Sequence, residues 1–103
     1  MSGNQLAQSC HSVADFAHNF PIFFKSWREN SNYIVCLSAK DEQSLIKTYE
    51  KLKKRGAPVI AFHEPDMGNE MTAICFYGLP HYRKIVSYLP LALKENGGTK
   101  ITM

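Results

Sequence analysis

At 103 residues, 45% hydrophobic and 20% charged, the chain suits one domain with one core and is too short for two. Twelve Lys and Arg against nine Asp and Glu give a net charge of +3, which permits a polyanionic partner without demanding one. No apolar run approaches a membrane span and the N-terminus lacks the basic-then-apolar order of a signal peptide, so a soluble, cytoplasmic protein is expected.

Leu6, Ala7, Cys10, Val13, Ala14 and Ala17 recur at three- and four-residue intervals and predict a helix over residues 4–18, opened by a Ser2/Gln5 capping box. On the other face lie Gln8, His11, Asp15 and His18. His11, Asp15 and His18 have a spacing compatible with a metal, but no second cluster supplies further ligands, and a solvated or substrate-facing stripe is the better reading. Cys10, Cys36 and Cys75 are odd in number and set among apolar neighbours, so they read as small buried hydrophobes in a reducing compartment. A nucleophilic Cys10 beside His11 is the sharper alternative, disfavoured because adjacent helical residues diverge.

Pro21 suits a first helical position, and Phe20, Phe23, Phe24 and Trp27 carry helical phase through a second helix ending near Asn30. Their phasing argues for core packing over base-stacking platforms. Continuous apolar runs at residues 33–37, 59–62 and 73–77 predict three strands of a sheet covered on both faces. Between the first two, Leu45, Ile46, Tyr49 and Leu52 define a helix opened by Asp41 and Glu42 and closed by basic residues before Gly56 and Pro58. Pro80 opens a last helix running through Leu89, which Pro90 ends. Residues 1–95 form the domain and 96–103 a flexible tail.

The expected fold is therefore α/β, a small sheet flanked by four helices. Three strands are few for that number of helices, and the chain starts almost directly in a helix, so either an N-terminal strand is missing or another subunit fills its place, and a homo-oligomer, most simply a dimer, is expected. Lys47, Lys51 and Lys54 share one face of the third helix, Lys53 and Arg55 add charge at its end, Lys25 and Arg28 lie on the second helix, and Arg83 and Lys84 on the last. The helix dipole explains the third-helix cluster without a ligand, while phosphate contacts are the functional alternative.

Residues 62–77, F-H-E-P-D-M-G-N-E-M-T-A-I-C-F-Y, wedge polar chemistry between two buried runs. Asp66, Asn69 and Thr72 sit in that wedge, at a strand end where ligands bind in α/β proteins. A tight turn whose Asp66 and Asn69 bond their own backbone is the plain reading.

Three blocks together carry a family resemblance: L-A-Q-S-C-H-S from Leu6, N-Y-I-V-C-L-S-A-K-D-E-Q-S-L from Asn32 and E-P-D-M-G-N-E-M-T-A-I from Glu64. Over about residues 3–94 the chain resembles the type II peptidyl-tRNA hydrolases, in the wording of a divergent branch. The resemblance implies a three-layer α/β/α fold with a small mixed sheet, four-stranded in the family, and metal- and cofactor-independent cleavage of the ester in peptidyl-tRNA. Gln8 and His11 match the family's Gln-Cys-Ser-His helix start, Asp66 the aspartate of its D-x-G turn, and Thr72 the threonine entering the last strand; these four are the implied catalytic set. Asn4 stands where the family carries a lysine after a first strand that this sequence lacks; with Asn69 of the turn and the cations Lys25 and Arg28, read from the residues themselves, it makes up the expected substrate-binding set. An asparagine there donates only a neutral hydrogen bond where lysine would attract phosphate. The same resemblance leaves open a catalytically impaired member that binds RNA or protein, and a small-molecule hydrolase on the same scaffold.

Overall fold

A computed structural model describes residues 3–32, 37 and 39–91, with the side chains of residues 3–6 outside that description. Among the described residues the protein is a small α/β molecule of four helices and one two-stranded antiparallel sheet. In chain order these are α1 (Gly3–Asn19), α2 (Pro21–Glu29), α3 (Glu42–Lys54), β1 (Val59–Glu64), β2 (Glu70–Phe76) and α4 (Pro80–Arg83). The expected strand at 33–37 falls outside the described residues except for Leu37, which forms an isolated antiparallel bridge with Leu91. The Ser2/Gln5 cap and the tail from residue 96 also lie outside them. No described helix is long and apolar enough to cross a membrane.

Helix α3 follows its sequence signals closely. The Asp41 carboxylate accepts from the Ser44 N–H at 2.8 Å, a normal N-cap. At the other end the Gly56 N–H donates to Lys53 and the Ala57 N–H to Leu52, both at 3.0 Å, the paired bonds of a Schellman motif. That motif needs a left-handed residue, and Gly56 supplies it at φ 83°. The chain is thereby reversed into β1, which runs back along α3.

β1 and β2 pair from Val59↔Phe76 to Glu64↔Glu70, with one irregularity. Phe62 faces Ala73 and His63 faces Met71, so Thr72 is the extra residue of a β-bulge. Cross-strand partners share a face, and alternation separates Val59, Ala61, Ile74 and Phe76 from Ile60, Phe62, Ala73 and Cys75. The first set packs with the core, built from Leu52 of α3, Ala57, Val59, Tyr82 of α4 and Val86, with Tyr49, Ile74 and Phe76 against it. Leu52 is wholly buried. On the second face, the His11 ring of α1 stacks on Phe62, centroids 4.9 Å apart and planes within 9°.

Three expectations need correction. The buried stripe of α1 is Gln8, Ser12 and Phe16, while Ala7, Cys10 and Ala14 are exposed. Alanine and cysteine offer too little apolar area to choose the packed face, whereas Phe16 offers much, and Ser12 satisfies its hydroxyl by donating to the Ser9 carbonyl at 2.7 Å. Cys10 is thus exposed and Cys75 half-buried, not core residues.

The α2 aromatics are likewise not core. No residue of α2 is buried, Phe23 is 40% exposed, and the rings pack mainly on one another, Phe16–Phe20–Phe23–Tyr77 and Phe24–Trp27. Finally, the last helix is shorter than expected. After Arg83 it tightens into a 3-10 turn over Lys84–Val86. The Pro90 ring would clash with the Val86 carbonyl four residues earlier if α-helix continued.

Candidate functional site

The connection between the strands is short and locally held. Glu64 ends β1 and its Oε1 accepts from the Asp66 N–H at 3.2 Å, while its carbonyl accepts from the Asn69 N–H at 3.0 Å. Pro65–Met67 makes one 3-10 turn, and Gly68 and Asn69 then both take left-handed backbone, at φ 65° and 61°. Glycine does this freely and asparagine is among the few side chains that tolerate it. The turn is thus organised by Glu64, not by the side chains of Asp66 and Asn69. Both residues are exposed, and the Asp66 carboxylate accepts no hydrogen bond among the described residues.

Helix α1 reaches this turn. Gln8, only 3% exposed, donates from Nε2 to Glu64 Oε2 at 3.3 Å and lies 3.9 Å from Met67 Sδ. One helical turn on, His11 covers Phe62, the residue beside the bulge. Helix α3 arrives from the other side. Glu42, in its first turn, accepts the Met71 N–H on Oε2 at 2.8 Å, next to Thr72. Thr72 Oγ1 is buried without a hydrogen-bond partner among the described residues. An unpaired buried hydroxyl costs about 1–3 kcal/mol.

The expected catalytic residues Gln8, His11, Asp66 and Thr72 therefore come from three segments that meet around the hairpin turn. Asn69 belongs to the same turn. The Asn4 side chain lies outside the described residues. Lys25 and Arg28 lie elsewhere. Helix α2 rests on Tyr77, with Ser26 Oγ and Tyr77 Oη 3.2 Å apart, and Tyr77 follows the far end of β2. The two cations are exposed there.

Sequence reasoning missed Glu64, Glu42 and Phe62. A carboxylate immediately before a proline-opened turn was a readable sign of a cap for Glu64. For Phe62 and for the Met71 contact of Glu42 nothing local signals the long-range partner. Among the described residues no three His, Cys, Asp or Glu side chains converge as a metal site. A cavity of about 520 Å³, bordered by Ser12, Phe16, Trp27, Tyr77, Arg83 and Val86 among others, lies toward the far end of β2, and none of Gln8, His11, Asp66 or Thr72 lines it. Comparison with protein-family models, curated proteins and solved structures finds no match for this chain.

Proposed function

We propose that the chain is a hydrolase of the ester joining a peptide, or an N-blocked amino acid, to the 3′-terminal ribose of tRNA, with the hairpin turn as its site. The observation that carries the reading is the Gln8–Glu64 hydrogen bond, which holds the start of α1 against the turn bearing Asp66. The resemblance of the sequence blocks around Gln8, Asp66 and Thr72 to the type II peptidyl-tRNA hydrolases supports the same choice of substrate. Water is the nucleophile. Asp66 takes its proton as the water oxygen attacks the ester carbonyl, and returns a proton to the ribose 3′ oxygen as the tetrahedral intermediate collapses.

Asn69, exposed on the turn, donates to the developing oxyanion. Gln8 is committed to Glu64 and positions the turn. Thr72 Oγ1 is shut off from solvent, so a contact with the ester requires the turn to move. His11, exposed beside Phe62, flanks the acyl group or relays the proton of the water. The same reading includes a three-layer arrangement with a mixed sheet in which residues 33–37 add a third strand, association as a dimer, and a cytoplasmic location.

Purified protein is expected to release N-acetyl-amino acid from charged tRNA, with Asp66→Ala slowing release about 10²- to 10⁴-fold, the range of a general base. Release that survives Asp66→Ala removes that residue from the mechanism. One observation favours a second reading, an RNA- or protein-binding domain without turnover: among the described residues no group donates a hydrogen bond to the Asp66 carboxylate. RNA binding by a wild type that never releases product would select that reading.

A further inference from the structure

The charged side chains of α3 and the hairpin are largely sorted between the two ends of the hairpin, with exposed Lys47 and Glu50 of α3 between them. At the turn, Asp41, Glu42, Glu64, Asp66 and Glu70 gather with Lys40 as the only nearby cation in sequence. At the opposite end α3 terminates with Lys51, Lys53, Lys54 and Arg55, all exposed. Arg83 and Lys84, also exposed, follow β2 at that same end, where Tyr82 and Val86 share the core cluster of Leu52. Tyr77, which follows β2 at that end, touches α2, the helix of Lys25 and Arg28, through Ser26 and Phe23. None of these cations forms an ion pair among the described residues. The helix dipole accounts for cations in the last turn of α3, but its influence fades within a turn and does not place Arg83 and Lys84 at the same end.

We infer that the surface formed by the C-terminal end of α3 and the Arg83–Lys84 segment binds the phosphate backbone of an RNA whose 3′ end lies at the hairpin turn. The inference rests on the hydrolase reading for the placement of the 3′ end, and on charge complementarity for the rest. The thirteen residues of α3 span about 20 Å, and Glu42 at its start touches β2 beside the turn. A stacked strand carries one phosphate per about 3.4 Å, so this distance corresponds to roughly six nucleotide steps. The acidic turn repels phosphate, which favours entry of the terminal nucleotide alone. The body of the RNA is then held at a distance by the basic end.

Binding is measured by fluorescence anisotropy with a hairpin RNA of about seven base pairs ending in a single-stranded 3′ CCA, across a salt series, for wild type and for the triple variant Lys51→Gln, Lys54→Gln, Arg55→Gln. Loss of three phosphate contacts is expected to weaken binding about tenfold or more at low salt and to flatten the salt dependence by about three units of slope. A CCA trinucleotide, too short to reach the basic end, should not distinguish the two proteins. Circular dichroism checks that the variant folds, and Arg83→Gln with Lys84→Gln is an independent second variant expected to give a smaller loss of the same kind. Unchanged affinity and slope in both variants would overturn the inference. So would binding to phosphatidylserine vesicles with none to the hairpin RNA. The two readings fail separately: α3-dependent RNA binding without ester release sinks the hydrolase and keeps the surface, whereas ester release with unaltered KM in the triple variant does the reverse.

Discussion

Helices α1 and α3 pack on the same hairpin through different chemistry. α3 presents Leu52 and Tyr49 to Val59, Ile74 and Phe76, an apolar contact that needs only burial. α1 presents Gln8, Ser12 and Phe16, of which two are polar. The apolar interface is tolerant of detail, since any well-filled surface is stabilising. The polar one is not, because the buried Gln8 amide depends on partners such as Glu64 to accept its hydrogen. The difference separates two tasks: the apolar core beneath α3 holds the hairpin by burial, while polar contacts from both helices, Gln8 to Glu64 and Glu42 to the Met71 N–H, locate its turn end.

Substituting Leu52 by Ala is the most severe way to break that contrast. The side chain is fully buried, so a loss of about 2–5 kcal/mol is expected, read as a lower denaturation midpoint in urea. Ester release per folded molecule should stay close to wild type, and a large fall in release by the folded fraction would show that the α3 side also shapes the site. Gln8→Ala is expected to cost less stability, about 1.5–3 kcal/mol for a hydrogen bond to a charged group, yet to reduce release sharply because the turn loses its anchor. If the variant is as active as wild type, α1 has no positioning role.

The smallest effect sharpens the comparison most. Thr72→Val replaces the unpartnered hydroxyl with a methyl group of similar shape, and should stabilise the protein by about 1 kcal/mol. Release should fall at the same time, the signature of a polar group kept for chemistry at a cost in stability. Higher stability with undiminished release would leave the hydroxyl without a catalytic part.

The sequence was most legible where short-range rules apply. Asp41 as a cap, Gly56 as a left-handed C-terminal residue and Pro21 as a helix start each depend on neighbours within four residues. The face of α1 depends on partners more than fifty residues away. Its alanine and cysteine stripe had the right period but little area to bury, and Gln8 goes inside with a distant partner, Glu64, to take its amide hydrogen. In the last helix Pro80 was read correctly as the start, but the α-helix gives way to a 3-10 turn after Arg83, well before Pro90, so the expected run to Leu89 was too long. At the site, the polar wedge at residues 62–77 identified the turn, while its true organiser, Glu64, was hidden by the neighbouring Asp66. Lys25 and Arg28 had the right chemistry for phosphate, but their distance from the turn follows from the packing of α2 on Tyr77.

The Glu42–Met71 contact also has a consequence for assembly. A strand at the margin of a sheet offers its free amides to any passing chain, which is the usual route to runaway polymerisation. By seizing the Met71 amide, Glu42 acts as a stopper at the turn end of β2. An added strand from any source is therefore confined to the stretch beyond the bulge, leaving the turn end of the hairpin uncovered.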